Sequence, residues 1–228
     1  MKMRSFERGV FTLAGVALAL MAGHHPPPSQ PIDGFRDLLW GKDYLNQTDD
    51  LKSKFKSYDG TTDLTAYAKG LQSMRFTDTI EEKPAAIELF EYPDDSGNPG
   101  LRAAIVDLKV DSPDTDQWIQ KNVQLIKDLQ DKYGKPSTYD PCSFLQQKNW
   151  KFDTFNKSKE YEAAQNYRKG KRVCSTQWND ANGDSVEVLL RHAEPDTSRL
   201  TVTYLSKGFK DILDKALAAR DKAEHSKL

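Results

Sequence analysis

The chain of 228 residues is short of cysteine, with two, and of histidine, with four. It also lacks a charge excess of either sign, and past residue 22 it has no long apolar run. Each shortage excludes something. A serine or cysteine hydrolase needs a base, and no Gly-x-Ser-x-Gly surrounds any serine. His24 and His25 fall in a proline-rich stretch and His225 in the tail, which leaves His192 in the folded part, read as a strand-end surface histidine. Lys and Arg number 33 against 34 Asp and Glu. Without Lys2, Arg4, Arg8 and Glu7 of the first segment the balance is 30 against 33, a net −3. No basic excess is available to neutralise phosphates, so nucleic acid is not an expected partner. A spanning helix needs about 20 apolar residues, and no stretch after the first segment reaches that.

The first segment reads as a cleavable signal peptide, residues 1–22. MKMRSFER is a positive n-region, GVFTLAGVALALMA an apolar h-region, and Ala22 and Gly23 supply small residues for cleavage. The expected location is therefore periplasmic or secreted. Residues 23–32, with three consecutive prolines, read as an extended spacer. Cleavage after Ala22 would expose Gly23-His24-His25, whose amine, amides and imidazole suit Cu(II). An even cysteine count in an exported chain reads as one disulfide, Cys142 to Cys174, with two separate buried thiols as the alternative.

Periodicity organises residues 33–228 as a single α+β domain. Tyr44, Thr48, Leu51, Phe55 and Tyr58 share one helical face, with Asp59-Gly60 as the stop. A short second helix is expected from Asp63, with Leu64, Tyr67, Ala68 and Leu71 inward. Strand-like runs follow at 73–80, 85–92 and 101–110. A helix then runs from Ser112 to the stop at Gly134 and Pro136. Three more strand-like runs, 172–179, 185–193 and 199–205, precede a closing helix with Phe209, Ile212, Leu213, Ala216 and Leu217 on one face. Asn182-Gly183 marks a hairpin. Strands joined by hairpin turns predict antiparallel sheet with helices packed on one face. The order suggests two pseudo-repeated βββα units, about 33–136 and 137–224.

Several stretches carry candidate chemistry. Asp180-Ala181-Asn182-Gly183-Asp184 offers oxygen ligands at alternate positions, but Ser185 and Arg191 stand where a calcium loop needs Gly and Glu, so it reads as a turn. Residues 150–172 hold aromatics among seven Lys or Arg and three acids. Trp150, Phe155, Tyr161, Tyr167, Lys169, Lys171 and Arg172 form the expected partner surface, suited to an anionic envelope polymer or an acidic protein. The alternative is that these aromatics pack on the sheet.

Gly34-Phe35-Arg36-Asp37-Leu38-Leu39-Trp40-Gly41 and Leu129-Gln130-Asp131-Lys132-Tyr133-Gly134-Lys135-Pro136 resemble the opening and the helix end of small exported bacterial proteins of uncharacterised function. The element order resembles the helix-on-sheet units of the β-lactamase inhibitor protein and of outer-membrane assembly lipoproteins. The chain departs from the lipoproteins in having no cysteine near the cleavage zone. The resemblance implies a protein-binding or envelope role without catalytic residues. The expected function is an exported, non-catalytic protein-interaction module, an envelope-assembly factor or an inhibitor or immunity protein. Its expected partner is another exported or envelope protein, with no cofactor. The alternatives are an enzyme acting on envelope polymers and a copper binder through the mature N-terminus.

Overall fold

Alternation of apolar and polar side chains builds the sheet that organises this chain. The computed structural model describes residues 30–80, 83–108, 115–140, 142, 162, 166–167, 169–193 and 197–226. In chain order the elements are β1 (Gly34–Phe35), β2 (Leu38–Leu39), α1 (Thr48–Lys54), β3 (Ser57–Asp63), β4 (Gln72–Ile80), β5 (Lys83–Glu91) and β6 (Leu101–Leu108). Then come α2 (Thr115–Tyr133), β7 (Thr138–Tyr139), β8 (Val173–Asn179), β9 (Ser185–Ala193), β10 (Thr197–Leu205) and α3 (Lys210–His225). Strands β3 to β10 form one antiparallel sheet of eight in the order β3-β4-β5-β6-β10-β9-β8-β7, and β1 pairs with β2 separately. The α+β class and the antiparallel sheet are as expected from sequence.

Register assigns each side chain to a face, because successive strand residues point to opposite sides. One cross-strand row reads Thr176, Val188, Val202, Val106, Ile87, Phe76 and Tyr58. This first face is apolar and carries the main core. The neighbouring row on the second face reads Gln177, Glu187, Thr203, Ile105, Glu88 and Arg75. That face is largely polar.

The helices divide between these faces, which corrects the expectation that they share one. Ile126, Leu129 and Tyr133 of α2 join the first-face core with Val186, Val188, Leu190, Leu200 and Val202. Leu213 and Ala216 of α3 join a separate cluster with Phe90, Ala103 and Leu205 on the second face. The strands of the two expected repeats meet along β6 and β10 in mirrored order, but their helices cover opposite sides. The βββα repeat therefore describes the strands and not the helix packing.

Local signals explain most boundaries. Gly134 takes φ +78° and ends α2, its N–H reaching the Gln130 carbonyl at 2.8 Å. The buried Trp178 indole donates to the Gly134 carbonyl at 2.8 Å, which ties the helix end to β8. The expected helix over Tyr44 to Tyr58 is shorter. A 3-10 turn spans Leu45–Gln47, α1 ends at Lys54, Phe55 is extended and Tyr58 lies in β3. Strand β3 has no apolar alternation, and its Asp59-Gly60 resembles a turn. In place it is a bulge, with Gly60 at φ +125°. The expected helix from Asp63 is a single turn in which the Leu64 carbonyl accepts from Tyr67 and Ala68. Gly70 at φ +81° stops it.

The spacer also gives way earlier than expected. Gln30 N–H donates to the Lys132 carbonyl at 3.1 Å, Ile32 N–H donates to Asp180 at 3.0 Å, and the Ile32 side chain is buried. Residues 30–32 therefore belong to the fold. No described helix is long and apolar enough to cross a membrane. Residues 1–22, expected to be a signal peptide, and the Gly23-His24-His25 copper candidate lie outside the described residues.

Candidate interaction site

The two cysteines are paired at disulfide distance, with Cα atoms 5.5 Å apart. Asp140 organises the approach to Cys142, accepting from the Cys142 N–H at 3.3 Å and from Arg172 Nη2 at 2.8 Å. Of the expected partner surface, Trp150, Phe155 and Tyr161 lie outside the described residues. Lys169 and Lys171 are exposed, and Arg172 is half-buried and engaged with Asp140. Tyr167 is 1% exposed and packs in the first-face core, so it is a structural residue and not a surface for a partner. Its ring stands edge-on to His192, with centroids 6.1 Å apart. His192 lies next to the last residue of β9, the strand-end position expected of it, and is half-buried.

The Asp180–Asp184 turn spends its oxygens on backbone. Asp180 accepts from the N–H groups of Asn182, Asp184 and Ile32, and Asp184 accepts from Lys207 N–H at 2.6 Å. Burial and the neighbouring carboxylates of Asp180 and Asp33 push the Asp184 carboxyl above its ordinary value. These bonds fasten the β9 hairpin to the N-terminal segment and to the β10–α3 connection. Among the described residues no group of three or more His, Cys, Asp and Glu side chains is placed to hold a metal ion.

A different region has the form of a site. Between α3 and the second face lies a cleft of about 520 Å³. Its floor comes from β5, β6, β10 and β9 and its wall from α3. The polar floor follows from sequence: strands β9 and β10 place Glu187, Arg191, Arg199, Thr201 and Thr203 at alternate positions. Their partners in alternation, Val188, Leu190, Leu200 and Val202, fill the core.

Most of the charges in the cleft are held. Glu88 Oε1 accepts from Ser73 Oγ at 2.8 Å, Arg75 Nε at 3.2 Å and Arg220 Nη1 at 2.8 Å. The Arg220 contact pins α3 to β5. Asp107 accepts from Thr201 Oγ1 at 2.7 Å and pairs with Arg199 at 3.2 Å. Glu187 accepts from Ser175 Oγ at 2.8 Å. Groups fixed in this way lose little freedom on binding.

Two charged groups that line the cleft, Arg191 and Asp221, are not fixed in this way. Arg191 is exposed, lines the cleft and stands directly across from Arg199. Among the described residues no acid pairs with it. Like charges directly opposite each other on neighbouring strands cost stability. Arg191, Arg199, Glu88, Asp107 and Arg220 are not among the site residues expected from sequence, because no motif marks them. The signal available for the strand residues was their alternation with apolar positions.

No protein family, curated protein or solved structure matches this chain.

Proposed function

We propose that the chain is an exported, non-catalytic protein-interaction module, an envelope-assembly factor or an inhibitor or immunity protein. It binds an exported or envelope protein through the second face of its sheet. The observation that carries this reading is the Arg191–Arg199 pair beside the α3 cleft. Two like charges retained side by side on a rigid sheet sacrifice stability, and such sacrifices concentrate at functional positions. An acidic side chain from a partner would relieve them. The bonded charges around the pair offer a preorganised frame, the arrangement expected of a recognition surface. Export is supported by the cysteine pairing, since disulfides persist in oxidising compartments.

The test is affinity capture from the envelope fraction of the producing organism, on the wild-type chain and on an Arg191→Glu, Arg199→Glu variant. The reading expects a partner captured at one-to-one stoichiometry by the wild type and lost from the variant. Equal capture by both would remove the second face from the interaction.

A further inference from the structure

Glu91 is 1% exposed and lies at the end of β5, where the register with β6 shifts between Phe90 and Glu91. Its Oε1 accepts from the N–H groups of Tyr44 at 2.6 Å and Leu45 at 3.1 Å. Those two donors open the 3-10 turn at Leu45–Gln47, and the first N–H groups of any helical turn lack partners within it. Its other oxygen, Oε2, is buried and has no hydrogen-bond partner among the described residues.

Around this carboxyl the N-terminal segment is laid against the sheet as a strap. Gly41 N–H donates to the Leu101 carbonyl and Leu101 N–H donates to the Lys42 carbonyl, both at 2.9 Å. The Tyr44 hydroxyl accepts from Leu39 N–H at 3.0 Å. Phe35, Leu38 and Tyr44 deliver their side chains into the core from this strap.

We propose that Glu91 is a pH-sensitive clasp that holds the strap of residues 34–47 against the sheet when its carboxyl is neutral and loosens it when the carboxyl ionises. A neutral carboxyl still accepts both N–H bonds through one oxygen, and it carries no net charge into the buried site. An ionised one places a charge there with half its acceptor capacity unmet, which is costly in an apolar interior. The charged group that bears on Glu91 from the strap is Asp43, which is also acidic and opposes ionisation. Tyr44 faces Glu91 through its N–H, while its hydroxyl is occupied by Leu39. On the neighbouring β6, Leu101 stands opposite Glu91, and the adjacent Arg102 is turned to the Tyr92 carbonyl at 3.3 Å. On β4 the residue opposite is the uncharged Gln72. Burial outweighs the Tyr44 and Leu45 N–H bonds, which favour the ionised form, and, with Asp43 adding to it, pushes the carboxyl up to about 7, within reach of ordinary changes in external pH.

The experiment is amide hydrogen exchange of the full chain, read by NMR from pH 5.5 to 8.5 and corrected for intrinsic exchange. Linkage between a docked value of about 7 and a released value near the ordinary one predicts that protection at Tyr44 and Leu45 falls about thirtyfold across that range, relative to Val202 in β10. Glu91→Gln, which keeps an acceptor and cannot ionise, should hold protection constant. Asp43→Asn should move the midpoint to lower pH in an otherwise native chain. A flat profile in the wild type, an unchanged slope in Glu91→Gln or an unmoved midpoint in Asp43→Asn would each overturn the clasp.

Discussion

Arg191 and Arg199 stand directly opposite each other on β9 and β10, on the face that α3 covers in part. Arg199 reaches Asp107 at 3.2 Å. Arg191 has no such relief among the described residues, and its cost to the free chain follows from like-charge repulsion. Replacing Arg191 with Ala should therefore leave stability within about 0.5 kcal/mol of wild type, on the favourable side. Urea unfolding measures it. A loss above about 1 kcal/mol would mean that Arg191 serves the fold.

The cysteine pair closes a long loop, since Cys142 and Cys174 are 32 positions apart. The chain-entropy account values such a bridge at roughly 3–4 kcal/mol. Cys142→Ser with Cys174→Ser should lower the denaturant midpoint by the corresponding amount, and reductant should do the same to the wild type. A midpoint that ignores reductant would deny the bridge a role in stability.

Thr176 interrupts an otherwise apolar row between Val188 and the end of the sheet. It is fully buried, and its hydroxyl has no hydrogen-bond partner among the described residues. Thr176→Val keeps the shape and removes the unpaired polar atom. It should stabilise the fold by about 1 kcal/mol, read as a rise of a few degrees in Tm. A fall in Tm would show that the hydroxyl is satisfied.

Glu91 sets a direction for stability against pH. Its folded value, about 7, is raised above the ordinary 4.5 by burial and then by Asp43. Between those values the folded chain holds a proton that the unfolded chain has released, so stability falls as pH rises. The contribution is complete below about pH 4.5 and lost as pH passes through 7. Between pH 5 and 8 the expected loss is roughly 2–3 kcal/mol, measured by urea unfolding at each pH. The Glu91→Gln curve should lack that fall. Parallel curves for the two proteins would assign the pH dependence to other groups.

The strands of both halves were legible because their apolar residues alternate against a single buried face. Leu200, Val202 and Tyr204 are an example, all on the side that packs against the main core. The end of α2 was legible from Gly134, which takes the left-handed conformation that glycine favours. Edge strand β3 was not, because an edge needs no apolar side chain on either face and Asp59-Gly60 signals a turn as readily as a bulge. The division of the helices between faces was hidden too. Leu213 and Ala216 mark an apolar stripe, but a stripe does not say which side of a sheet receives it. The site was missed for a related reason. The aromatic stretch that ends at Arg172 reads in sequence as a partner surface, yet Tyr167 is core. The charged positions of β9 and β10, which face the cleft, look in sequence like ordinary solvated strand residues.

Site-specific photo-crosslinking tests the central claim most directly. A photoreactive residue in place of Gln177, on the second face beside Glu187, should form one discrete adduct with an envelope protein. The same residue in place of Thr61, exposed on edge strand β3, should form none, and Arg191→Glu should abolish the first adduct. Adduct formation at Thr61 and not at Gln177, or an adduct at Gln177 indifferent to Arg191→Glu, would contradict recognition through the second face.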